Sequence, residues 1–192
     1  AKARGVPLLY LLKLMLGGAG DDARRAAVRA ARPDARLVAD ANEAWTPALL
    51  APSMAAAAAA RIELIEQPLP AGDDAALARI AHAVPICADE SAHVATDIGA
   101  LIDRYDAVNI KLDKAGGLTA ALAMQREARR LGLRSLVGSM GATSLAAAPA
   151  LLLASDAEWV DLDGPLLLAR DREHGLAIRD GWIAPADARL WG

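Results

Sequence analysis

Five charged residues stand at the same place in a repeating pattern. Asp40, Glu66, Asp89, Lys111 and Asp161 each close a short apolar run. The first three are carboxylates on successive runs. Brought together without neutralisation, they would repel and raise one another's pKa. A hard divalent cation removes that conflict. Mg²⁺ fits best, because it takes carboxylate oxygens and keeps some of its waters. Zinc fits less well, because no Cys or His accompanies the three. Any one of them alone could equally cap a helix or pair on the surface; three in register argue for the metal. Lys111 follows Val108-Asn109-Ile110. Beside a bound cation an ammonium is disfavoured, so such a lysine becomes a usable base. The plain alternative is a lysine that lays its stem along the surface, as expected of Lys114. A lysine near Mg²⁺ suits removal of a proton next to a carboxylate, with the metal stabilising the enediolate.

The elements that must hold these residues alternate in type. After an apolar stretch at Leu8–Leu16, strands are expected at Arg36–Ala39, Ile62–Ile65, Pro85–Ala88, Ala107–Ile110, Ser135–Val137 and Trp159–Val160. Between them, Asp21–Ala31, Pro47–Ala60, Asp73–Ala83, Asp97–Arg104, Leu118–Leu131 and Ser144–Ala154 read as helices. This alternation with short loops predicts a parallel sheet with crossover helices. Seven such strands favour an α/β barrel over an open doubly wound sheet. The turn Gly17-Gly18-Ala19-Gly20 lacks the spacing and the lysine of a phosphate loop. In a β/α barrel the active site is built at the C-terminal ends of the strands, which is where the charged residues fall.

Four stretches carry a resemblance. They are Val38-Ala-Asp-Ala-Asn-Glu-Ala-Trp45, Ile65-Glu-Gln-Pro-Leu69, Ile86-Cys-Ala-Asp-Glu-Ser91 and Asn109-Ile-Lys-Leu-Asp-Lys-Ala-Gly-Gly-Leu118. They resemble the signature segments of the enolase superfamily, and they occur in its order. Asp40 to Glu66 is 26 residues, Glu66 to Asp89 is 23 and Asp89 to Lys111 is 22, each one strand–helix–strand step. The resemblance implies an incomplete TIM-type (β/α) barrel, residues 1–192 supplying strands two to eight. The N-terminal capping domain and the first strand would be lacking. It implies Mg²⁺ on Asp40, Glu66 and Asp89, support for those ligands from Asn42 and Glu90, and Lys111 as one acid/base. Two further segments resemble the dipeptide epimerases of that superfamily. Asp161-Leu-Asp163-Gly-Pro165 is similar to their Asp-x-Asp motif, which holds the substrate's α-ammonium. Two carboxylates suit an amine; capping of the next segment is their alternative. Gly138-Ser-Met-Gly-Ala-Thr-Ser144 resembles the loop that shapes the substrate pocket, with Thr143 and Ser144 as candidates. The implied reaction is epimerisation at the α-carbon of a dipeptide such as L-Ala-D/L-Glu.

One departure bears on that reaction. The superfamily pattern has Lys-x-Lys on the second strand, its second lysine catalytic, where this chain reads Lys13-Leu14-Met15. A thioether carries no proton at neutral pH. Lys13 shares a face with Met15 but lies about 7 Å further down, two residues of strand rise. A two-residue slip of the strand, accommodated by Tyr10-Leu11-Leu12, would bring Lys13 into the catalytic place. Without it, two-base chemistry is lost. The alternatives are a non-catalytic remnant that binds metal only, or another enolase-superfamily reaction, such as a cycloisomerase or an o-succinylbenzoate synthase.

The bulk of the chain excludes other classes. Its 192 residues are 55% hydrophobic and 23% charged, with a net charge of −3. No basic stripe invites nucleic acid, and no apolar run reaches the ~18 residues of a membrane span. No signal peptide is evident. The single Cys87 fits a reducing cytoplasm. His82, His93 and His174 are scattered and expected on the surface, Glu43 on the rim. Trp45 is read as pocket wall or core. The expected partner is a small dipeptide; association of identical copies is left open.

Overall fold

Short apolar runs become parallel strands. The computed structural model describes residues 10–18 and 20–191. It divides into two units: Ala1–Ser91 with Asp103–Asp106, and Ala92–Ile102 with Ala107–Gly192.

In the first unit β1 (Leu11–Met15), β2 (Arg36–Asp40), β3 (Leu64–Glu66) and β4 (Ile86–Ala88) pair in order. Parallel neighbours need a crossover. Helix α1 (Asp21–Ala31) joins β1 to β2, and α2 (Pro47–Ala59) joins β2 to β3. Strands β3 and β4 are buried along their whole length, which explains why they read as unbroken apolar runs rather than alternating ones. Helix α2 buries Leu50, Met54 and Ala57, one stripe at helical spacing. Trp45 is core, with the Arg25 guanidinium 5.8 Å from its ring centre.

In the second unit β5 (Ala107–Ile110), β6 (Arg134–Gly138) and β7 (Trp159–Asp161) pair in order. A single turn, α3 (Leu112–Ala115), and α4 (Leu118–Arg130) lead from β5 to β6; α5 (Ser144–Ala154) leads from β6 to β7. Gly138 is required where β6 passes β5, because a Cβ there would lie 2.6 Å from Asn109 Oδ1. An antiparallel hairpin follows, β8 (Ile178–Arg179) and β9 (Trp182–Ile183), then α6 (Ala188–Trp191). Asp180 and Gly181 both have positive φ in its two-residue turn, the pairing that matches strand twist. Leu176, Ile178 and Ile183 pack with Ala147 and Ala148 of α5.

Two expectations are corrected. The helices expected over Asp73–Ala83 and Asp97–Arg104 are short 3₁₀ turns, Ala75–Arg79 and Ala95–Ala100. Asp74 looks like an N-cap but spends its carboxylate on Ser91, Tyr105 and Arg104 instead. The first strand begins at Leu11; residues 8 and 9 of the expected run lie outside the described residues. No helix among the described residues is long and apolar enough to cross a membrane.

Candidate active site

Asp40 ends β2, Glu66 ends β3, and the ladder places them directly opposite one another. Asp89 lies one residue past β4, and all three are buried. The backbone that carries them is unusual. Asn42, Glu43 and Gln67 all have positive φ, at 44°, 61° and 31°, a region that side chains other than Gly, Asn and Asp rarely enter. The turn after β2 is tied to its neighbour: the Glu43 N–H donates to Gln67 O at 2.8 Å, and Trp45 N–H to Pro68 O at 3.0 Å. Asn42 supports Asp40 through its backbone, its N–H donating to Asp40 Oδ1 at 2.9 Å.

Lys13 enters this site without any strand slip. The register sets Lys13 opposite Val38 and Met15 opposite Asp40, so the two-residue slide does not occur. The long lysine stem makes it unnecessary. Its Nζ lies 2.9 Å from Asp40 Oδ2 and 2.8 Å from Glu66 Oε2. Met15, the residue opposite Asp40, is 57% exposed.

Asp40 and Glu66 share the Lys13 ammonium, and the charge of Asp89 acts on Glu66. Burial pushes the Glu66 carboxyl up; Lys13 opposes this, and the charges of Asp40 and Asp89 add to it, leaving it at about 7. Burial, and then Asp89, also raise Glu90. A divalent cation would relieve the mutual repulsion of buried carboxylates. The donor set, oxygen only, fits Mg²⁺. Among the described residues no three Asp, Glu, His or Cys side chains form a ready-made metal cage; Lys13 bridges two of the carboxylates instead.

The other expected residues belong to the second unit. Lys111 directly follows β5 and is half-buried. Asp161 closes β7, and Asp163 precedes a 3₁₀ turn, Gly164–Leu167, without capping it through its side chain. Thr143 is the residue before α5 and likewise makes no side-chain cap. Ser144 is fully buried. Its hydroxyl donates to Asp171 and accepts from the Leu176 N–H at 2.8 Å, while its own N–H donates to Asp171 Oδ1 at 2.9 Å. Ser144 thus fastens the C-terminal segment to α5. Asp171 went unnoticed because 27 residues separate it from its partner.

These features define an α/β chain with carboxylates at the ends of successive parallel strands. The family model described as enolase C-terminal domain-like matches residues 9–189, and the chain belongs to that family. Its fold class is accordingly an incomplete TIM-type barrel. It is 45% identical over 182 residues to an N-acetyl-D-glutamate racemase from a Pseudoalteromonas species, covering 95% of this chain and 58% of the racemase. It is 47% identical over 171 residues to the L-Ala-D/L-Glu epimerase of Escherichia coli K12, covering 89% and 53%. Among solved structures, an Agrobacterium tumefaciens enolase family member with homology to dipeptide epimerases, bound to sodium and L-Ala-L-Glu, superposes with TM-score 0.94 at 54% identity, covering 100% and 58%. A Methylococcus capsulatus dipeptide epimerase complexed with Mg and L-Arg-D-Lys gives 0.86 at 30% identity, covering 93% and 54%. The chain therefore spans little more than half the length of these proteins.

Proposed function

We propose that this chain supplies strands two to eight of a Mg²⁺-dependent, cytoplasmic enzyme of the dipeptide-epimerase kind, acting at the glutamate α-carbon of L-Ala-D/L-Glu. The buried trio Asp40, Glu66 and Asp89, standing at the ends of successive parallel strands, is the observation that carries the reading. These three would hold Mg²⁺, which when bound supplies positive charge to stabilise the negative charge growing on a substrate carboxylate. Lys111 takes and returns the α-proton on one face. Asp161 and Asp163 accept hydrogen bonds from the substrate's free ammonium. Met15 stands where the second-strand lysine stands in the superfamily pattern, and Lys13, two residues away, is held by Asp40 and Glu66, so neither serves as proton carrier on the other face. The expected reaction of this chain is α-proton exchange with retention.

Proton NMR in D₂O tests this. With Mg²⁺, and with L-Ala-L-Glu and L-Ala-D-Glu run separately, the chain should erase the glutamate α-proton signal of one of the two without forming the other diastereomer. Met15→Lys should add the diastereomer. Both signals unchanged at saturating Mg²⁺ would overturn the reading for this chain.

A second substrate is favoured by the racemase relative. N-acetylglutamate shares the N-acylated glutamate of L-Ala-Glu but has no free ammonium. Running both substrates side by side separates them. Faster exchange of the dipeptide, lost in Asp163→Asn, supports the dipeptide; faster exchange of N-acetylglutamate, unchanged in Asp163→Asn, supports the N-acetyl compound.

A further inference from the structure

Gln67 follows Glu66 and is fully buried. Its main chain extends the ladder, the N–H donating to Cys87 O at 2.9 Å. Its side chain reaches the next strand's end. The amide oxygen accepts from the Asp89 N–H at 2.8 Å and from the Ser91 N–H at 3.1 Å. The amide nitrogen lies 2.9 Å from each of three acceptors, Leu69 O, Ser91 Oγ and Tyr105 Oη.

The proton inventory gives this network a direction. Tyr105 donates its hydroxyl proton to Asp74 Oδ2 at 2.6 Å, and Ser91 donates its own at 2.8 Å. Both hydroxyl oxygens are then left as acceptors, and only the NH₂ side of the amide can face them. The amide oxygen must therefore point at Asp89. Arg104 pairs with Asp74 at the far end. Burial pushes the Asp74 carboxyl up, but the hydrogen bonds from Tyr105 and Ser91, with Arg104, bring it below its ordinary value. It stays an anion and keeps both hydroxyls turned toward it.

We infer that Gln67 is a positioning residue for the third carboxylate: it transmits the orientation set by Asp74, Tyr105 and Ser91 to the backbone of Asp89, and so sets how that residue presents itself to a cation. The inference rests on the three-carboxylate reading above. Left-handed φ at Gln67 is consistent with this role, since strain persists where the surroundings over-determine it.

Gln67→Met keeps length and volume and removes every side-chain hydrogen bond. Tyr105→Phe removes one distant member that touches no carboxylate of the trio. Gln125→Met is the control: Gln125 is also buried, and its Nε2 donates to Leu153 O at 2.9 Å in the second unit. Mn²⁺ titration of the full chain, read by the EPR signal of the free ion, should give at least about tenfold weaker binding for Gln67→Met. Tyr105→Phe should weaken it about threefold, and Gln125→Met should leave it unchanged at a comparable drop in melting temperature. Amide hydrogen exchange of the metal-free chain gives a second readout. The Asp89 N–H should exchange at least about tenfold faster in Gln67→Met, having lost its acceptor. If Gln67→Met misfolds, Tyr105→Phe carries the test alone. Equal Mn²⁺ affinity in Gln67→Met and Gln125→Met overturns the inference. If the unaltered chain binds no Mn²⁺, the metal reading fails by itself, and unchanged Asp89 exchange then sinks the positioning role separately.

Discussion

Lys13 and Met15 are two residues apart and part company completely. One is drawn onto two carboxylates; the other is exposed opposite Asp40. Substitution of Lys13 by Met would remove the ammonium that Asp40 and Glu66 share across the ladder. Removing one member of a buried ion pair costs about 3 kcal/mol. Lys13→Met should therefore melt at clearly lower temperature than the unaltered chain in EDTA at pH 8. Saturating Mg²⁺ should shrink the difference, because the ion takes over the neutralising role. Thermal melts under both conditions check this, and a difference that Mg²⁺ leaves untouched would refute it. The trio Asp40, Glu66 and Asp89 was legible in the sequence because each residue closes an apolar run. The place of Lys13 was not, since strand spacing locates its Cα and not the end of a long flexible stem. Gln67 and Ser91 lay inside quoted motifs, yet their roles depend on Asp74 and Tyr105, whose nearness only folding creates.

At the level of elements, the strands were readable and the links between them less so. Full burial of β3, β4 and β5 produces the continuous apolar runs that mark them. The links at Ala75–Arg79 and Ala95–Ala100 are 3₁₀ turns where helices were expected. Asp74 is drawn into its network, and Asp97 turns back to the N–H groups of His93 and Val94, both at 3.0 Å. The C-terminal hairpin was missed although Asp180-Gly181 is a strong turn pair, because strands of two residues leave no alternation to read. The contact between β5 and β6 is the most demanding. Gly138→Ala would drive a methyl group into Asn109 and should destabilise the chain by about 1–3 kcal/mol. Urea unfolding measures this, and a loss under about 0.5 kcal/mol, the level of an ordinary surface substitution, would contradict the close approach.

For the whole molecule, the buried carboxylates couple folding to both protons and metal. Glu66 titrates at about 7 in the folded chain against an ordinary 4.5. Between these values the folded chain holds a proton that the unfolded chain has released. The metal-free chain should therefore lose stability as pH rises from about 4.5 to about 7, and change little from this source above that. Mg²⁺ requires the deprotonated carboxylate, so its affinity should rise across the same window, by about tenfold per pH unit below 7. Calorimetric titrations at a series of pH values check both the sign and the plateau; affinity flat across the window would remove Glu66 from the ligand set. The Lys13 bridge has a bearing on whether folding waits for metal. A strand-end site made only of carboxylates would oppose closure of the sheet until an ion arrived. Here an ammonium from β1 lies within reach of both Asp40 and Glu66. The metal-free chain is therefore expected to fold without added ion, and circular dichroism in EDTA checks this.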